Sequence, residues 1–198
     1  MIEISKFGAP LGGLVHGVDL RSLDDVEFAA IQAAFAEHLV LAFPGQDLTI
    51  DEQLAFARRW GQLQKHPYYR GADYPELMRL DNQGKAKDPN EHWHSDMSYE
   101  PTPPKITMLY ALEAPAIGGD TAFANQHVAF NELSNSLQEQ LRALNAVHTA
   151  EANALQGIAD GLPLRIQYAV LQCYMHLDLH YCNISGPWMS LVPPSGKM

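Results

Sequence analysis

Basic residues are scarce in this chain: 13 lysines and arginines stand against 23 aspartates and glutamates, for a formal net charge of −10. Nucleic acids and anionic membrane surfaces are held by concentrated positive charge, so this balance argues against both as partners. A small anionic substrate stays compatible, because one pocket can be basic on an acidic protein. Cysteine is nearly lacking. Cys173 and Cys182 are too few and too close in sequence to staple a secreted scaffold, and reduced thiols fit the cytoplasm. No run approaches the ~18 apolar residues of a membrane span. Met1-Ile2-Glu3-Ile4-Ser5-Lys6 lacks the basic start and apolar stretch of a signal peptide, so the expected location is cytoplasmic. No repeat, linker or low-complexity stretch divides the chain. Its 198 residues, 46% of them hydrophobic, suit one domain around a single core.

Residues 1–7 and 14–20 read as strands around Gly8-Ala9-Pro10. Ser22 with Asp25 forms a capping-box pattern, and Phe28, Ile31, Phe35 and Leu39 mark the apolar stripe of the helix it opens. Val40 to Phe43 is expected to be a buried strand. Thr49 with Glu52 repeats the capping signature and starts a helix reaching about Arg59, with Leu54, Phe56 and Ala57 toward the core. Further strands are expected at 77–80, at 106–112 as a central strand, and at 120–124. A helix then carries Leu133, Leu137, Leu141 and Leu144 into the core. The expected fold is mainly β with flanking helices, a double-stranded β-helix or jelly roll.

The chemistry concentrates in His92-Trp93-His94-Ser95-Asp96. In an extended strand, residues two apart point the same way, so His94 and Asp96 can offer an imidazole and a carboxylate to one metal ion. Two histidines and one carboxylate form the facial triad of non-haem Fe(II) oxygenases, which leaves positions open for cosubstrate and oxygen. By itself a His-x-Asp pair arises easily by chance among nine histidines and 23 acidic residues. Its surroundings are more specific. Trp93-His94-Ser95-Asp96-Met97-Ser98-Tyr99 is followed by Pro101-Thr102-Pro103-Pro104, an apolar run from Ile106 to Leu112, and Gly118-Gly119-Asp120-Thr121-Ala122-Phe123-Ala124-Asn125. Earlier landmarks are Leu14 to Leu20, His38 to Gln46 and Leu54 to Gly61.

Taken in order, these segments resemble the TauD/TfdA family of Fe(II)- and 2-oxoglutarate-dependent dioxygenases. The resemblance covers about residues 1–149, fades beyond Thr149 and is lost from about Gly161. It implies a jelly roll, His94 and Asp96 as iron ligands, and Thr121 as a hydrogen-bond donor to a carboxylate of 2-oxoglutarate. His66, Tyr69 and Asn90 fall where taurine-type enzymes place substrate contacts. His92 could share the face of His94, but the family pattern favours His94; His16, His38, His127 and His148 read as structural. The implied cofactors are Fe(II) and 2-oxoglutarate, and the implied partners are a small-molecule substrate, 2-oxoglutarate and oxygen; homo-oligomerisation is left open.

The family takes its third ligand, a histidine, and an arginine for 2-oxoglutarate from a later segment. After His148 the only histidines are His176 and His180, and Arg165 is the only arginine after Arg142; none carries the family's context. The expectation is therefore a dioxygenase domain over residues 1–160, incomplete at its C-terminal side, with residues 161–198 an unmatched tail, truncated or frameshifted. The implied activity is hydroxylation of a small organic acid or sulfonate, taurine-like, with release of succinate and CO2. The alternatives are a catalytically inactive truncated member and a jelly-roll module that binds a small anion without redox chemistry.

Overall fold

A computed structural model describes residues 2–65, 73–79, 94–113, 121–146, 148 and 188–191. Strand β1 (Glu3–Lys6) runs antiparallel to β2 (Gly13–His16), with Glu3 opposite His16 and Lys6 opposite Gly13. β2 ends earlier than the expected Leu20. Gly17 takes a positive φ of 72°, and the Asp19 carboxylate accepts from the Arg21 backbone N–H, which turns the chain instead of extending it.

Helix α1 (Asp25–His38) is capped by Asp24, not by the expected Ser22. The Asp24 carboxylate accepts from Glu27 N at 2.7 Å, and Glu27 Oε2 accepts from Asp24 N at 3.2 Å. Asp25, expected as the distal partner of that box, is instead paired with Arg59 at 2.6 Å. Asp24→Ala should therefore destabilise the fold by about 1 kcal/mol in a urea titration. Ser22→Ala should stay within about 0.5 kcal/mol; the reverse order would reinstate the Ser22 cap. α1 closes on Leu39 in the left-handed region, φ 65°, where its N–H reaches Phe35 O.

That reversal feeds β3 (Val40–Phe43), whose Leu41 and Phe43 are fully buried, and then α2 (Ile50–Arg58), opened by the expected Thr49–Glu52 box. Leu54 and Phe56 are buried as expected, while Ala57 is only half-buried. Phe28, Phe35, Phe43, Phe56 and Trp60 meet edge to face, with centroids 5.0–6.3 Å apart. Such edge contacts set each ring's positive rim against its neighbour's negative face, so the cluster is both apolar and geometrically specific.

Between β3 and α2, the buried Gln46 side chain accepts from Leu20 N at 3.1 Å and donates to Val18 O at 3.1 Å. These bonds tie the loop after β2 to the end of β3. Tyr110 closes the same corner, its hydroxyl donating to Gln46 O at 3.3 Å and accepting from Leu48 N at 3.1 Å.

Tyr110 ends β4 (Thr107–Tyr110). Beyond it lie α3 (Gln126–Asn131), α4 (Asn135–Arg142) and β5 (Trp188–Leu191). The five strands form one sheet in the order β1-β2-β3-β5-β4, parallel everywhere except between β1 and β2. β5, from the segment expected to be an unmatched tail, pairs on both sides. β4 thus stands at the edge of the described sheet and not at its centre.

Other expectations are corrected. Residues 77–79 are not a strand, because Leu77 N bonds Tyr74 O in a turn around Pro75. Residues 121–124 are irregular and lead to Asn125, which caps α3 through Val128 N and donates to Pro10 O at 2.8 Å. Of the four leucines expected in the core, only Leu141 is buried, against Phe130 and Leu133. α4 spans barely two turns, so Leu137 and Leu144 are left exposed.

Candidate metal centre

The side chains of Ile106, Met108 and Tyr110 pack on the main core. Alternation along a strand then sends Thr107 to the opposite face of β4. There its hydroxyl donates to Asp96 Oδ2 at 3.0 Å. The other carboxylate oxygen, Asp96 Oδ1, lies 3.2 Å from His94 Nε2. Adjacent corners of an octahedron with bonds of about 2.1 Å are about 3 Å apart, so the two atoms stand at the separation that one hard divalent cation requires of neighbouring ligands. One imidazole nitrogen and one carboxylate oxygen are also a donor set suited to Fe(II).

His94 and Asp96 are not on a strand as expected. Residues 96–99 form a turn, closed by Glu100 N bonding Met97 O at 2.9 Å. Pro101, Pro103 and Pro104 follow, and prolines cannot donate to a ladder. Met97, between Asp96 and Ser98, adopts φ 48°, in the left-handed region that costs a non-glycine residue about 1 to 3 kcal/mol and persists only where surrounding contacts hold it. Thr107 supplies one such contact. A second comes from His148, whose Nδ1 lies 3.0 Å from Ser98 Oγ. Burial pushes the His148 imidazole below its ordinary pKa, and among the described residues its Nε2 is buried without a hydrogen-bond partner.

The sequence matches the family described as "Taurine catabolism dioxygenase TauD, TfdA family" over residues 3–174. The chain belongs to the TauD/TfdA family. The match runs past Thr149, where the residue-by-residue resemblance ends. A (S)-phenoxypropionate/alpha-ketoglutarate-dioxygenase of Delftia acidovorans is 32% identical over 162 residues, covering 75% of this chain and 54% of that protein. Among solved structures, a taurine dioxygenase from Burkholderia xenovorans superposes with a TM-score of 0.59 at 28% identity, covering 72% of this chain and 52% of that one. AAD-2, solved in complex with Mn(II) and N-oxalylglycine, gives a TM-score of 0.57 at 28% identity, with 72% and 50% covered. The chain spans about half the length of the curated relatives it matches. Membership and these likenesses imply a jelly-roll fold, and the cofactors of the TauD/TfdA family are Fe(II) and 2-oxoglutarate.

Against that family pattern, His94 and Asp96 are brought together. Thr121 is exposed on the irregular segment before α3. His66, Tyr69, Asn90, His92, Arg165, His176 and His180 lie outside the described residues. No group of three or more His, Cys, Asp or Glu converges among the described residues. No helix among them is long and apolar enough to cross a membrane.

Of the other histidines, His16 meets Ser5 Oγ at 2.7 Å, His38 packs on Gly13 and His127 is exposed on α3. Thr107 was not visible as a site residue. Its one signal is an aliphatic hydroxyl in a mostly apolar strand, eleven residues after the carboxylate it binds. Hydrogen-bond partners of metal ligands typically contribute 10- to 100-fold to affinity, so Thr107→Val should weaken Mn(II) binding by roughly that factor while preserving shape. Calorimetric titration checks this; unchanged affinity would show that the Asp96 carboxylate needs no such support.

Proposed function

We propose that this chain is an Fe(II)/2-oxoglutarate-dependent dioxygenase that hydroxylates a small organic acid or sulfonate. The reading is carried by the 3.2 Å approach of His94 Nε2 to Asp96 Oδ1, with the second carboxylate oxygen held by Thr107. Among relatives, the names range from phenoxypropionate to taurine, and these share a small organic body bearing one acidic group. In this reading His94 and Asp96 hold the ion, and the third ligand is left unassigned. Thr121 donates to a carboxylate of 2-oxoglutarate, while His66, Tyr69 and Asn90 orient the substrate's acidic group. Bound iron supplies the means to couple decarboxylation of 2-oxoglutarate to oxidation of a substrate C–H bond. The balance is one substrate, one 2-oxoglutarate and one O2 giving the hydroxylated product, succinate and CO2.

The test is succinate formation with Fe(II), 2-oxoglutarate and a panel of small carboxylates and sulfonates, with and without oxygen. Oxygen-dependent succinate supports the reading. Anion binding without succinate would make the protein a binding module, and metal binding without turnover would make it an inactive family member.

A further inference from the structure

We propose that His148 is a positioning residue for the turn that carries Asp96: by pairing with Ser98 it holds Met97 in its strained conformation and so keeps the carboxylate aimed beside His94. The inference rests on the metal reading of His94 and Asp96.

The geometry has three parts. Met97 sits at φ 48° between the ligand and Ser98, so the turn relaxes away from this shape unless it is held from both sides. Thr107 on β4 holds the Asp96 side, at 3.0 Å. His148 holds the other, its Nδ1 3.0 Å from Ser98 Oγ across fifty residues of sequence. The contact joins the ligand turn to the segment after α4, which nothing local in the sequence brings near it.

A purely structural histidine would be expected to satisfy both ring nitrogens or expose one. Among the described residues, His148 instead buries Nε2 without a partner. Such a cost is kept where the group has a task, since an apolar side chain of similar size would fill the space more cheaply. The ring is also stiff. A planar imidazole with two torsions fixes Ser98 more tightly than a longer flexible chain would.

The test compares wild-type protein with His148→Ala, His148→Asn, Ser98→Ala and the double Ser98→Ala/His148→Ala variant. Asparagine is the conservative replacement, because its amide reaches the place of Nδ1. Two quantities are read: Mn(II) affinity by calorimetry, with Mn(II) as a redox-stable substitute for Fe(II), and amide hydrogen exchange across residues 96–100 in the metal-free protein. His148→Ala should weaken Mn(II) binding roughly tenfold and speed exchange in the turn. His148→Asn should recover most of both, and the double variant should be no worse than Ser98→Ala alone.

Faster exchange with unchanged Mn(II) affinity would overturn the positioning role, as would losses that add in the double variant. If His148→Ala does not fold, Ser98→Ala and His148→Asn carry the same comparison. Wild-type protein that binds no Mn(II) at all would defeat the function itself, whereas wild-type binding that no variant disturbs would defeat only this inference.

Discussion

Asp96→Ala is expected to abolish measurable metal binding and, with it, succinate formation, while leaving the unfolding transition nearly where it was. Loss of a hydrogen-bond partner to a ligand costs 10- to 100-fold in affinity, and loss of the ligand itself should cost roughly 100-fold or more. Stability should barely move, because Asp96 lies on a turn, half-buried, and its one described protein donor, Thr107, is half-buried too. Titration of Mn(II) into both proteins, alongside a urea curve for each, separates the two effects. Retained affinity in a folded Asp96→Ala protein would remove the carboxylate from the site.

Phe43→Ala should behave in the opposite way, costing about 3 to 5 kcal/mol of stability and silencing function only through unfolding. Phe43 is fully buried, ends a strand whose residues pair with β5, and meets Phe56 edge to face at 6.0 Å. Truncation to alanine removes the ring and leaves a cavity beside Phe56, within the buried cluster that also holds Leu41 and Ile31, and close packing limits how far the neighbours can fill it. The midpoint in urea reports the loss. A cost below about 1 kcal/mol would mean that this cluster is not the core on which the fold depends.

How much of the fold is legible in the sequence depends on how local the deciding interaction is. The Thr49–Glu52 box and the buried Val40–Phe43 strand are written in residues three or four apart, and both are present. The cap of α1 was misplaced by two residues because Ser22 and Asp24 each precede an acidic partner at the right interval. Arg59, 34 residues away, occupies Asp25 and leaves the box to Asp24 and Glu27. α3 escaped notice because six residues show no helical period, and its start depends on Asn125, whose amide also ties it to Pro10.

The site divides in the same way. His94 and Asp96 are singled out by their spacing and neighbours, and their 3.2 Å approach is present although neither lies on a strand. Thr107 and His148 act on that turn from eleven and fifty residues away, and no periodicity encodes such pairings. The family match to residue 174 likewise exceeds what motif spacing alone could follow, because the last ordered landmark is Gly118 to Asn125.

The most direct measurement of the central claim is the visible absorption of the anaerobic protein mixed with Fe(II) and 2-oxoglutarate. A metal-to-ligand charge-transfer band from chelated 2-oxoglutarate is expected in the wild-type protein, and no band in Asp96→Ala. A folded wild-type protein that shows no band at saturating Fe(II) and 2-oxoglutarate would contradict that claim.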